Sequence, residues 1–383
     1  MRPLNFLNNT QNIHFFAQCP KGLESYLQQE LAHLGAKESN SEAGGVSFKA
    51  TNESFYHILY CSRLAGRILL PIWSFPCPDS DELYRRAVEF PWHELVPAHR
   101  SFMVSSHLIN SGIKHSQYAS LRLKDAIVDQ VRQYSGQRPS VDRDTPNLRI
   151  NLFIQGQEAL ISLDPCGPLH QRGYRLEGGM APLKENLAAA ILFISGWQGE
   201  QPLLDPFCGS GTLLGEALML AARIPAGFKR SHSSLKYIPG FNHDVWNQVK
   251  NEADARIRKI DTGLICGSDI HGPSIRKARH NLFRLPFGES VQLQKSDFKD
   301  YKDLPPQLLL SNLPYGERMG EEDRLFDLYR NFGDFLKKEC KGSQAWLLCG
   351  STQLVKHIGL RPKARIPLFN GPIETRLIHL ELY

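Results

Sequence analysis

PLLDPFCGSGTLLGEALMLAA, residues 202–222, sets the architecture of this chain. An apolar run, PLLDPF (202–207), ends on a glycine turn, and a second apolar stretch of helical length opens at Thr212. Buried strand, tight turn and buried helix form the opening unit of a parallel sheet covered on both faces. The rhythm continues downstream. GLICGSD (263–269), VQLQKSD (291–297), LLLSNLP (308–314) and QAWLLCG (344–350) read as strands, and PSIRKARHNLF (273–283) and 322–338 as helices among them. KENLAAAILFIS (184–195) reads as a helix that precedes the series, and ETRLIHLELY (374–383) ends it. The pattern predicts an α/β, Rossmann-like domain whose ligand sits at the carboxyl ends of the strands.

Those strand ends carry the chemistry. In Asp205-Pro206-Phe207-Cys208-Gly209-Ser210-Gly211-Thr212 the glycines let backbone approach a ligand, and the helix start offers unpaired N–H groups. The spacing is G-x-G, without the third glycine of a dinucleotide fingerprint and without a Walker lysine. A short loop with an acidic first residue suits a ligand bearing an amino acid, with Asp205 facing its ammonium and helix N–H groups its carboxylate. Asp269, followed by Ile270, can accept both hydroxyls of a ribose. Asp297 can accept from an adenine amino group, with Phe298 against the ring. Each of these acids, taken alone, also fits an ordinary helix N-cap. Ser311-Asn312-Leu313-Pro314-Tyr315 is the sharpest signal. The Asn312 amide oxygen and the Leu313 carbonyl can accept from an exocyclic NH₂, Pro314 fixes their convergence and Tyr315 offers a face for stacking a base. Such a base must be unpaired or flipped to enter.

The first half reads as short alternating strands and helices: NIHFFAQC (12–19), GLESYLQQELAHL (22–34), GGVSFKA (44–50), NESFYHILYCS, RILLPIW (67–73), FMVSSHL (102–108), a helix over 116–134, and a closing hairpin of LRINLFI (148–154) and ALISLD (159–164). This is small α+β architecture. The glycines and prolines of 165–182 mark a linker or domain boundary. Net charge is +6. Residues 1–170 hold 16 basic against 16 acidic side chains, so the excess lies in the second half. Two basic stretches, 100–150 and 223–259, direct attention to Arg138, Arg143, Lys229 and Arg230 as nucleic-acid contacts. The second stretch reads as a surface insert, which explains why Asp205 and Asp269 stand much farther apart than the roughly 20 residues of a simple Rossmann pair. Eight cysteines without a C-x-x-C pair read as reduced core thiols, and no metal site is expected. No leader and no spanning segment is read, so a cytoplasmic protein with no membrane partner is expected.

DPFCGSGTLLGEA, GSDIHGPSIRKARHN and LLLSNLPYGERMG resemble the cofactor and catalytic motifs of RNA amino-methyltransferases, most closely the bacterial large-subunit rRNA guanine-N2 methyltransferases of the RlmL type. GLESYLQQELAHLGA, SRLAGRILLP, SQYASLRLKDAIVDQ and RPSVDRDTPNLRINLF resemble their ferredoxin-like and THUMP regions, and LHQRGYRLEGGMAPLKENLAAAIL the start of their catalytic domain. The resemblance implies a ferredoxin-like segment over 1–53, a THUMP domain over 54–165 and a Rossmann-like methyltransferase domain over 166–383. It implies S-adenosylmethionine held by Asp205, Phe207, Gly209, Ser210, Gly211, Thr212, Asp269, Ile270, Asp297, Phe298 and Asn312. Catalysis falls to Asn312, Leu313, Pro314 and Tyr315, with 23S rRNA or a large-subunit precursor particle as partner. The motif here is Asn-Leu-Pro-Tyr where the family more often has Asn-Pro-Pro-Tyr, a change expected to matter little because only the backbone carbonyl is used. No fused second methyltransferase half is expected. Three other functions fit the same motifs: a tRNA guanine-N2 methyltransferase, an adenine-N6 methyltransferase, and an RNA-binding assembly factor without activity. The intact Asn312 argues against the last.

Overall fold

In the computed structural model of the chain, residues 4–7, 12–176, 183–315, 322–350 and 352–383 are described. The first half runs β1 (Ile13–Gln18), α1 (Glu24–His33), β2 (Lys37–Glu42), β3 (Gly45–Ala50), α2 (Asn52–Cys61), β4 (Arg67–Pro76), α3 (Ser80–Ala87), α4 (Trp92–Leu95), β5 (Ser101–Ile109), α5 (Ser116–Ser135), β6 (Ser140–Val141), β7 (Leu148–Gln155) and β8 (Glu158–Leu163). These strands form one sheet in the order β2-β3-β1-β4-β8-β7-β5-β6. The long β4 joins its halves, pairing antiparallel with β1 on one side and β8 on the other. α5 buries Ala119, Leu123, Ala126 and Ile127 at the spacing read from the sequence, and Gly136 ends it in the left-handed region (φ 71°). β2 was not expected. Its KESNSE carries no apolar period, and backbone pairing to β3 at the sheet edge makes it a strand.

The second half runs α6 (Glu185–Ser195), β9 (Leu203–Asp205), α7 (Thr212–Ala221), α8 (His243–Asp254), β10 (Ile265–Asp269), α9 (Gly272–Leu282), β11 (Gln292–Lys295), β12 (Leu308–Asn312), α10 (Glu322–Glu339), β13 (Gln344–Cys349), α11 (Thr352–His357), β14 (Ala364–Asn370) and β15 (Ile373–Glu381). Its sheet has the order β11-β10-β9-β12-β13-β15-β14. The first five strands are parallel, and the β14–β15 hairpin adds to β13 antiparallel. The strand order reverses direction between β9 and β12, which opens a crevice at their carboxyl ends. The apolar 202–207 run yields only three strand residues, because Pro206 and the glycine turn leave the ladder.

One sequence expectation is corrected here. The stretch 223–259 is not a surface insert. Its helix α8 buries Trp246, Val249 and Ala253, and Trp246 meets Tyr56 and Tyr60 of α2 edge-on. The Tyr60 hydroxyl donates to Asp254 (2.7 Å), and Asn242 N donates to the Tyr56 hydroxyl (2.9 Å). Residues 165–176, at the expected linker or boundary, pack between the two halves. Arg172 is 1% exposed and donates to Glu216 (3.3 Å) and to the carbonyls of Leu169 and Arg63. Arg63 in turn caps the end of α7 through Met219 O (2.9 Å) and Ile224 O (2.7 Å). A buried charge is tolerated only with such partners, so the first half grips the helix that carries the glycine turn. Residues 177–182 of the expected linker lie outside the described residues. All eight cysteines are free, five of them buried. Among the described residues no helix is long and apolar enough to cross a membrane, and no cluster of His, Cys, Asp and Glu could hold a metal ion.

Candidate active site

The glycine turn after β9 is tied to the neighbouring strand end. Cys208 N donates to Ser268 O (2.9 Å) and Gly209 N to Asp269 Oδ2 (3.1 Å). His271 N donates to Asp269 Oδ1 (2.8 Å), so the carboxylate of Asp269 is held from both sides. Gly209 (φ 53°) faces open space, with no atom within 4 Å of where a Cβ would stand. Gly211 (φ 81°) packs instead on α9, where a Cβ would meet Ala278 Cβ at 3.1 Å. One glycine therefore leaves room for a ligand and the other for a helix.

Asp205 stands elsewhere than expected. It is 1% exposed and does not line the cavity above it. Its Oδ1 accepts from Phe207 N (3.0 Å) and from the hydroxyl of Ser311, which fastens the end of β9 to the end of β12. Burial pushes its pKa up to about 7, against the lowering effect of those two donors, and Asp269 pushes in the same direction as burial. Asp205 is thus a positioning residue under the floor, which corrects its expected contact with a ligand ammonium. Ser210, Gly211 and Thr212 are likewise absent from the cavity lining. Ser210 O accepts from Asn281 Nδ2 and Thr212 Oγ1 from Arg175.

The cavity, of about 900 Å³, lies over the carboxyl ends of β9, β10 and β12. Phe207, Gly209, Asp269, Ile270, Asp297, Phe298, Asn312, Leu313, Pro314 and Tyr315 all line it. Asp297 also caps the short turn Phe298–Asp300, with its Oδ1 accepting from Lys299 N and Asp300 closing the box, so its N-cap reading holds. Phe298 is buried and locked against Phe207 (5.4 Å between centroids) and Phe332 (5.2 Å). These residues fit a nucleoside bearing a charged tail: an apolar ring wall, a fixed carboxylate and an open glycine.

At the other end of the cavity the Asn312 loop is held by its backbone. Leu313 N donates to Leu348 O (3.0 Å), and the Tyr329 hydroxyl donates to Pro314 O (3.2 Å). The Tyr315 hydroxyl accepts from Asn370 Nδ2 (3.1 Å), and its ring lies against Gly350, where a Cβ would stand 2.3 Å from Tyr315 Cγ. Asn312 Oδ1 is buried and has no hydrogen-bond partner among the described residues. A buried acceptor without a donor costs about 1–3 kcal/mol, and this one lines a cavity that can admit a donor. Gly350, Gln353, Phe326 and Ile373 also line the cavity and were not anticipated. Gly350, just past an apolar strand, was the only one with a sequence signal. The GERMG part of the motif, at 316–320, lies outside the described residues.

The expected RNA contacts divide. Arg138 and Arg143 are exposed around β6, and Lys229 is exposed. Arg230 is corrected: its guanidinium turns inward and donates to Leu59 O (2.6 Å) and Leu169 O (3.2 Å), and burial lowers its pKa to about 10. It joins the two halves of the protein and does not face solvent.

Comparison with known proteins agrees with this geometry. Residues 172–379 match the family described as RMKL-like, methyltransferase domain; 77–164 match the THUMP domain, and 14–69 the RlmL ferredoxin-like domain. The ribosomal RNA large subunit methyltransferase K/L of Syntrophotalea carbinolica is 40% identical over 97% of this chain and 54% of its own length. The putative RNA methyltransferase slr0064 of Synechocystis is 37% identical over 96% of this chain and 97% of its own. The chain thus spans about half the length of the K/L relative and nearly all of slr0064. The crystal structure of SMU.472, a putative methyltransferase complexed with SAH, is similar with a TM-score of 0.86 at 27% identity, over 98% of this chain and 99% of that one.

Proposed function

The chain belongs to the family of RMKL-like methyltransferases, and from that membership we propose that it methylates the exocyclic N2 of a guanine in 23S rRNA with S-adenosylmethionine as methyl donor. The observation that carries the reading is the unpartnered Asn312 Oδ1, lining the same cavity as the fixed carboxylate of Asp269. When bound, the cofactor supplies an electrophilic sulfonium methyl group. Asp269 would accept the ribose hydroxyls, Asp297 and Phe298 would receive the adenine, and Gly209 leaves space for backbone approach. Asn312 Oδ1 and the Leu313 carbonyl accept from the guanine NH₂ and turn its lone pair towards the methyl. Tyr315 stacks on the base, which has left its own stack to enter. The enzyme's contribution is orientation and polarisation. No dedicated base is required, because the alkylated nitrogen is acidic enough to lose its proton.

The division of labour follows the three expected segments: 1–53 and 54–165 select the RNA by shape and exposed single-stranded nucleotides, and 166–383 performs the transfer. The names of the relatives support an RNA substrate. The test is labelled methyl transfer to purified 23S rRNA, 16S rRNA, tRNA and duplex DNA, followed by digestion to nucleosides and mass identification. N2-methylguanosine in 23S rRNA is expected. Label in N6-methyladenine moves the protein to the adenine class, and label in tRNA guanine alone replaces the substrate while keeping the mechanism.

A further inference from the structure

A second crevice, of about 320 Å³, lies where the first sheet, the start of α6 and the β14–β15 hairpin meet. The hairpin turn is common to both cavities. Phe369 and Gly371 line the crevice, Ile373 lines the catalytic cavity, and Asn370 between them holds the Tyr315 hydroxyl. The turn between β14 and β15 thus links the crevice to the catalytic end through Asn370.

The crevice is built for an anion carrying a hydroxyl. Lys21 and Lys184 are exposed at its rim and form no ion pair among the described residues, and Lys21 Nζ lies 5.4 Å from the Phe369 ring centroid. Arg67 adds a third cation, shared with Asp164. His170 registers the resulting field. Burial first, then Lys184, Arg172, Arg67 and Arg175, push its pKa down to about 4, so the ring is neutral at pH 7 among cations. The first turn of α6 points its positive end here, and its N-cap Lys184 offers no side-chain acceptor. Glu185 does not line the crevice and is paired with Arg175 (3.4 Å). Asn186 does line it, at 2% exposure. Its Nδ2 donates to Leu64 O (3.4 Å), and its Oδ1 is buried without a partner among the described residues. That atom asks for a donor, which a bare phosphate diester lacks and a ribose 2′-hydroxyl has.

We propose that this crevice binds a ribose-phosphate unit of the RNA strand next to the nucleotide in the catalytic cavity, with the phosphate on Lys21, Lys184 and the start of α6 and the 2′-hydroxyl donating to Asn186 Oδ1. The inference rests on the RNA reading of the catalytic site. It gives that site a second point of hold on the strand, and it gives the protein a contact that distinguishes RNA from DNA.

The test measures binding of the full chain to a fluorescein-labelled single-stranded RNA and to DNA of the same sequence across a salt series. Lys21→Glu with Lys184→Glu should weaken RNA binding about tenfold or more and flatten the slope of log affinity against log salt by about 1.4, two single-strand phosphate contacts at about 0.7 each. Cofactor affinity should not move. Lys338→Glu with Lys341→Glu, the same charge change at the opposite end of the sheet, should leave the salt slope unchanged. Asn186→Leu should narrow the preference for RNA over DNA. If the wild type binds no RNA, the RNA reading falls and takes this one with it. If the wild type binds RNA and the Lys21/Lys184 variant binds it with the same affinity and slope, the crevice is refuted and the catalytic reading stands.

Discussion

The two ends of the catalytic cavity differ in how their polar groups are satisfied. At the β9–β10 end every acid already has protein partners: Asp205 holds Ser311 and Phe207 N, Asp269 holds Gly209 N and His271 N, and Asp297 caps its own turn. At the β12 end the backbone is equally well held, but Asn312 Oδ1 has no partner among the described residues. The first end is rigid before a ligand arrives. The second keeps one acceptor in deficit, and only an incoming donor can supply it. An enzyme that binds a common cofactor and then waits for one particular base benefits from that asymmetry, because the unmet acceptor rewards the substrate alone.

The largest expected effect separates the ends. Asn312→Ala should lower the single-turnover methyl-transfer rate by about 10² or more, the scale of losing one preorganised polar contact, with cofactor affinity by calorimetry nearly unchanged. Asp269→Ala should do the reverse, weakening cofactor binding by about 1–3 kcal/mol because hydroxyls and the two loop N–H groups lose their acceptor. A loss of cofactor affinity in Asn312→Ala equal to that in Asp269→Ala would erase the distinction.

A smaller effect sharpens the comparison through the residue that joins both ends. Asp205 is raised from 3.8 to about 7 in the folded chain. Between about pH 4 and pH 7 the folded state therefore holds a proton that the unfolded state has lost. Stability linked to this group is present at low pH and declines as pH rises through 7, by at most about 4 kcal/mol at 1.36 kcal/mol per unit. Asparagine keeps the acceptor oxygen that takes both bonds and never ionises. Chemical denaturation of the ligand-free protein should show Asp205→Asn gaining stability over the wild type at pH 8 relative to pH 5. An equal difference at the two pH values would mean that the carboxylate is paired more strongly than Ser311 and Phe207 N allow.

Much of this site is legible in the sequence, for a physical reason. A sharp strand-to-helix turn demands glycine, and polarising an amine demands an amide or carbonyl oxygen, so Gly209, Asp269, Asn312 and Tyr315 are visible as residue types at strand ends. Roles set by tertiary contact are not. Asp205 has the right type and place, yet Ser311, distant in sequence, turns it beneath the floor. Arg230 counts as a surface cation in any charge sum, and only the packing of α2 onto the 223–259 segment turns it inward. Gly350 and Ile373 belong to the site because β13 and β15 bring them there. β2 is a strand through its ladder alone.

The smallest expected effect concerns the hydroxyl of Tyr315. Stacking on a base needs the ring, so Tyr315→Ala should be severely impaired. The hydroxyl has a separate task, since it accepts from Asn370 Nδ2 at 3.1 Å and so ties the catalytic loop to β14. Asn370 is 7% exposed, and losing the phenol leaves its Nδ2 donor buried and unmatched. Tyr315→Phe should therefore retain most of its turnover, with a loss of about two- to tenfold, the range for one neutral hydrogen bond worth about 0.5–1.5 kcal/mol. If the bond acts only by placing the ring, Asn370→Ala should cost about the same, and the double variant no more than either single one, which gives a coupling near the size of each loss. Single-turnover rates for the four proteins at saturating cofactor decide the matter. Losses that simply add would assign the hydroxyl to the base itself and remove Asn370 from the substrate end of the cavity.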